Sequence, residues 1–124
     1  MNQDLIQKAQ IQPLLKYFQK LIPLNKEEQK LMFDLFKPRL YRKRQYVLQE
    51  GDVCNHYHFI VRGCLRMYKI DGKGNLHIVQ FAAENGWLSN IGSLHERRAS
   101  ELNIDALEDT MVSQISYENL LNLY

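Results

Sequence analysis

Three short apolar runs that meet at glycine-bearing corners constrain this chain more than any other feature. After the turn Glu50-Gly51-Asp52, the run Tyr57-His58-Phe59-Ile60-Val61-Arg62 ends on Gly63. A second, Leu65-Arg66-Met67-Tyr68-Lys69-Ile70, meets Asp71-Gly72-Lys73-Gly74-Asn75, and Leu76-His77-Ile78-Val79-Gln80-Phe81 follows. Short runs rich in Tyr, Val, Ile and Phe, cut by Gly, Asn and Asp, read as strands. Strands with tight corners predict a mainly β fold, a small roll of double-stranded β-helix, jelly-roll-like type. A roll of this kind encloses a pocket, and the chemistry of its rim decides what the pocket holds.

The length of 124 residues supports one domain with an adequate core and leaves no room for a second catalytic or DNA-binding domain. A net charge of +2 is too small to argue for a nucleic-acid surface. No apolar run is long enough for a membrane span, and Met1-Asn2-Gln3-Asp4 lacks the basic-then-apolar order of a signal peptide. The expected location is therefore the cytoplasm, with no membrane partner. Cys54 and Cys64 form no Cys-x-x-Cys motif, and a reducing compartment suits them as small, partly buried side chains.

Residues 1–38 read as helical. Pro13 suits a first helical turn, and Leu14, Leu15, Phe18, Leu21 and Ile22 share a face. Asn25, followed three residues later by Glu28, is a capping signature for another helix, with Leu31, Met32, Leu35 and Phe36 as its stripe and Pro38 at its end. Residues 39–115 form the β-roll. Within it, Tyr57, Phe59 and Val61 share the buried parity, which turns His56, His58 and Arg62 outward. Strands containing Ile104, Ala106 and Leu107, then Met111, Val112 and Ile115, flank the turn Glu108-Asp109-Thr110. Residues 116–124 start a C-terminal helix, with Ser116 as its cap and Tyr117, Leu120, Leu121 and Tyr124 as one apolar stripe. That stripe is still running at Tyr124, so the natural protein is expected to continue.

Helices, a glycine-cornered roll, then an amphipathic helix is an order with a known counterpart. Together with Tyr46-Val47-Leu48-Gln49-Glu50-Gly51-Asp52, Phe59-Ile60-Val61-Arg62-Gly63, Asp71-Gly72-Lys73-Gly74 and Asn103-Ile104-Asp105-Ala106-Leu107-Glu108-Asp109, it resembles the N-terminal sensor domain of the Crp/Fnr transcription regulators. That domain has the cyclic-nucleotide-binding-domain fold. The resemblance covers most of residues 12–124. It implies a bacterial, ligand-responsive regulator that works as a homodimer through the helix carrying Tyr117, Leu120, Leu121 and Tyr124. DNA would be contacted only through a domain outside this chain. A cyclic nucleotide or other small ligand would occupy the roll.

In that family a Gly-Glu pair and, about ten residues on, an Arg-Ser or Arg-Thr pair hold the ribose phosphate. A buried phosphate needs a paired cation and oriented N–H donors. An ungapped alignment on Asn103-Ile104-Asp105-Ala106 places Ser89-Asn90 at the first pair and Ser100-Glu101 at the second, replacing the cation with a carboxylate. A two-residue shift would instead bring Arg98-Ala99-Ser100 into register beside Arg97, displacing the better-matched strand. The expected pocket residues are Ser89, Asn90, Ile91, Ser100 and Glu101, with Arg97 and Arg98 as phosphate partners, and cyclic-nucleotide binding is expected to be weak, altered or lost.

The competing chemistry is a metal. Cys54, His56 and His58 recur every second residue and face one way on a strand, and His77 loosely matches a third histidine of a cupin-like site. The acidic ligand such a site needs does not follow, so surface histidines are the simpler reading. No Ser-His-Asp, Cys-His or paired-carboxylate arrangement suggests an enzyme. The run Arg39, Arg42, Lys43, Arg44 reads as a solvated strand, with Arg42 and Arg44 on one face. Trp87 reads as core.

Overall fold

In the computed structural model, residues 25–122 are described. A capping box starts α1 (Lys26–Leu35): the Asn25 side chain accepts from the Glu28 N–H at 2.8 Å, and the Glu28 carboxylate accepts from the Asn25 N–H at 3.2 Å. The helix stops at Leu35, before the predicted proline boundary, because Phe36 is already extended and opens β1 (Phe36–Tyr41). Pro38 therefore lies within a strand. β1 is an edge strand, where a missing N–H need not break a ladder.

The roll continues through β2 (Tyr46–Leu48), β3 (His56–Arg62), β4 (Leu65–Ile70), β5 (Leu76–Ala82), β6 (Trp87–Leu88), α2 (Ile91–Glu96), β7 (Asn103–Ala106) and β8 (Thr110–Ser116), and α3 (Tyr117–Leu121) follows. Two antiparallel sheets result, with strand orders β1-β8-β3-β6 and β2-β7-β4-β5. Gly63 makes the corner between β3 and β4 at φ +109°, where a Cβ would lie 2.5 Å from Thr110 Oγ1. At the β4–β5 hairpin, Asp71 Oδ1 accepts from the Lys73 and Asn75 N–H groups at 2.9 Å each. On the outside of the second sheet, Asp105 of β7 takes both the Nε (3.0 Å) and Nη2 (2.6 Å) of Arg66.

The core fills the space between the sheets with Leu48, Leu65 and Ile104 from one, and Ile60, Leu88 and Val112 from the other. On the far face of the first sheet, Trp87 stands edge-on to Phe36, Tyr57 and Phe59, at centroid distances of 6.2, 4.9 and 5.1 Å. Both faces of β3 are thus covered. This corrects the outward placement of the histidines: His58 is 3% exposed, because its face of β3 looks into the roll rather than to solvent. The basic run also departs from expectation, since β1 ends at Tyr41 and Arg42–Gln45 is a turn closed by the Gln45 N–H to the Arg42 carbonyl, with Arg44 left-handed at φ 71°. Arg42 and Arg44 share no strand face.

Ser116 caps α3 as predicted, accepting from the Asn119 N–H at 3.1 Å. Leu120 is buried and Leu121 exposed. The stripe from Leu14 to Ile22 and Tyr124 lie outside the described residues. Among the described residues no helix is long and apolar enough to cross a membrane.

Candidate functional site

The residues corresponding to the phosphate cassette surround the short helix α2. Asn90 caps it, accepting from the Ser93 N–H at 3.3 Å, while its Nδ2 donates to Ser100 Oγ at 2.8 Å. Both side chains are buried. Ser100 is pinned further by its main chain: its N–H reaches the Asp52 carbonyl and its own carbonyl takes the Gly51 N–H, each at 2.8 Å. The Asn90–Ser100 bond brings together the two pairs that the ungapped alignment set opposite each other.

The guanidinium of Arg98 lies across Gly92 in the first turn of α2, where a Cβ on residue 92 would stand 2.6 Å from Nη2. Gly92 escaped sequence reasoning, although a glycine two residues after the helix cap is the visible trace of this close approach. Arg98 is not available as a lone cation: its Nε pairs with Glu96 and its Nη1 with Glu101 at 3.2 Å. The Glu101 carboxyl is held below the ordinary range first by its own backbone N–H and then by Arg98. The rim of the site therefore holds one guanidinium between two carboxylates. Ile91 is exposed beside it.

The other candidates face elsewhere. The Ser89 hydroxyl sits 2.7 Å from the His56 carbonyl and 2.6 Å from that of Leu88, on the β3 side. Arg97 turns away from the cassette, donating from Nη1 to the carbonyls of Cys54 (3.0 Å) and Leu94 (3.2 Å) and from Nη2 to Asn55 Oδ1 (2.7 Å), with its guanidinium over the Tyr117 ring at 4.4 Å. Cys54 Sγ donates to the His56 carbonyl, and neither Cys54 nor Cys64 is in a disulfide. His77 belongs to the other sheet, paired with Asp71 at 2.8 Å. Among the described residues, no three of His, Cys, Asp and Glu come together to hold a metal ion.

Residues 38–124 match the family model of the cyclic nucleotide-binding domain. The chain belongs to that family. This cyclic nucleotide-binding domain superimposes on the catabolite activator protein of Thermus thermophilus with a TM-score of 0.71 at 21% identity, covering 83% of this chain and 48% of that one. It spans about half of that protein. For the sensor domain of the transcriptional regulator DNR from Pseudomonas aeruginosa the TM-score is 0.74 at 18% identity, over 94% of this chain and 77% of that one. A third likeness is to the regulatory subunit of a cAMP-independent protein kinase A from Trypanosoma cruzi bound to guanosine, with a TM-score of 0.73 at 13% identity, over 97% of this chain and 42% of that one. At such identities these neighbours share the domain's fold, and an EAL enzyme is also among them. None of the curated proteins matches the sequence.

Proposed function

We propose that this domain is the ligand-sensing part of a Crp/Fnr-type transcription regulator, and that its cassette takes an uncharged, hydroxyl-bearing ligand of nucleoside type in preference to a cyclic nucleotide phosphate. One observation carries the ligand choice: the guanidinium beside α2 is already neutralised by Glu96 and Glu101. A phosphodiester placed there would meet two carboxylates, and its desolvation would go uncompensated. Asn90 is an uncharged hydrogen-bonding side chain at this point, whereas the Ser100 hydroxyl is taken up by Asn90 Nδ2 and by the N–H and carbonyl of Leu102. The guanosine held by the trypanosomal neighbour supports the same choice, since it lacks a phosphate.

In this reading residues 1–124 form one sensor domain without catalytic activity, acting in the cytoplasm. An occupant at α2 shifts the helix that begins after Ser116, and that helix pairs two subunits and biases a DNA-binding domain outside this chain. Calorimetry with cyclic AMP, cyclic GMP, adenosine and guanosine tests the proposal. Each nucleoside should bind at least as tightly as its cyclic phosphate, and Glu101→Gln should strengthen the cyclic phosphates selectively. A cyclic nucleotide that binds the unaltered chain more than about tenfold tighter than its nucleoside, a difference of about 1.4 kcal/mol, overturns it.

A further inference from the structure

A hollow of about 430 Å³ opens beside β2, lined by Tyr46, Gln49, Asp52, Asn55, His56 and His58 among others. We infer that this hollow is a second small-molecule site, separate from the cassette, and that it takes a flat uncharged heterocycle bearing N–H donors, the nucleobase class, hydrogen-bonded to His58 Nε2.

The tautomer of His58 is fixed by its main-chain partner. Its Nδ1 lies 3.0 Å from the Leu88 carbonyl, which can only accept, so Nδ1 carries the proton and Nε2 keeps its lone pair. Burial keeps the ring neutral, its pKa lowered to about 4. The ring's hydrogen bonds are both at Nδ1, to Leu88 and to Ser89 Oγ at 3.2 Å. Among the described residues no enclosed side-chain nitrogen or oxygen lacks a partner, so Nε2 is not sealed in protein but faces the hollow that His58 lines. A buried, preoriented acceptor at the base of a cavity selects a ligand with a donor.

Size, shape and charge narrow the class. The volume lies within the range of small-molecule pockets. The lining includes the aromatic residues Tyr46 and His56, and it holds one carboxylate, Asp52, and no Lys or Arg, which disfavours anions. The segment from Gln49 to Asn55 separates this hollow from the cassette. It turns its main chain toward Ser93 and Ser100 through the Cys54 N–H to Ser93 Oγ (2.9 Å) and the Gly51 N–H to the Ser100 carbonyl (2.8 Å), and it lines the hollow on its other side.

Adenine titrated into the full chain, with the histidine ring nitrogens labelled with ¹⁵N, tests the inference. The His58 Nε2 resonance should move saturably while Nδ1 stays protonated. Binding should weaken at least tenfold in His58→Phe and in a second variant, His58→Gln, whose fold is checked by circular dichroism, and Asn90→Ala should leave it unchanged. Adenine that leaves His58 unmoved, or that loses its effect on Asn90→Ala, overturns the second site. A chain in which Zn²⁺ but not adenine perturbs His56 and His58 overturns the ligand class in favour of a metal.

Discussion

A methyl group on Gly63 would stand 2.5 Å from Thr110 Oγ1 and 2.8 Å from the Asp109 carbonyl, on a backbone at φ +109°. Gly63→Ala must therefore both strain the corner and push β8 off β3. A loss of about 3 kcal/mol in urea-unfolding free energy is the expected outcome, and a loss under about 1 kcal/mol would mean the corner yields easily. That corner could be read from the sequence, because a glycine closing an apolar run announces its conformational need. The burial of His58 could not, since alternation along one strand says which residues share a face but not that a second sheet covers it. Burial has a pH signature. His58 is neutral in both states above pH 6.5, so its contribution to stability is fully present there. Between 6.5 and about 4 the unfolded chain binds a proton that the folded ring refuses, and stability falls by up to about 1.4 kcal/mol per pH unit before levelling off. Asp71, lowered to about 2, and Glu101 lose their contributions only at lower pH, below the ordinary carboxylate range. Urea titrations across the upper window should show a slope that His58→Gln flattens, and an unchanged slope in that variant would contradict the assignment.

Among the elements, β5 stands apart because every residue from Leu76 to Phe81 is exposed and the strand forms the open edge of its sheet. The ladder with β4 slips between Met67↔Gln80 and Tyr68↔Ile78, which leaves Val79 unopposed. This bulge brings Phe81, Ile78 and Leu76 to one side despite their uneven spacing, and they are 53%, 46% and 44% exposed. An apolar edge of this kind invites strand pairing between copies. Ile78→Lys should change stability by less than about 0.5 kcal/mol and reduce concentration-dependent self-association in sedimentation velocity. Equal association of the two chains would show that the edge is inert. The strand itself was legible as a run of β-formers between Asn75 and Glu84. The slip was not, because a bulge depends on the partner strand as much as on its own residues. Helix caps were the easiest elements to read, as with Asn25–Glu28 and Ser116, since the cap and the N–H it satisfies lie within three residues.

At the scale of the whole molecule, what escaped the sequence was the joining of distant segments. The alignment on Asn103-Ile104-Asp105-Ala106 located Asn90 and Ser100 but cast Arg97 as a phosphate partner, whereas its partners lie some forty residues earlier and twenty later in the chain. Arg97 occupies the left-handed C-cap of α2 at φ 56°, and its guanidinium joins the end of α2, the Cys54–Asn55 segment and Tyr117 at the head of α3. Tyr117 is also fixed by its N–H to the Asn55 carbonyl at 2.9 Å. Arg97→Gly keeps the backbone twist at ease while removing the grip. Amide exchange over Glu118–Leu121 should quicken, with α2 unaffected, and undisturbed protection of α3 would show that the guanidinium transmits nothing. A long side chain on a backbone that prefers to bend the other way stays in place only while it has something to hold. Should a guest beside α2 loosen that hold, the twist would be free to relax and the terminal helix to swing, which makes this one residue a tripwire already under tension.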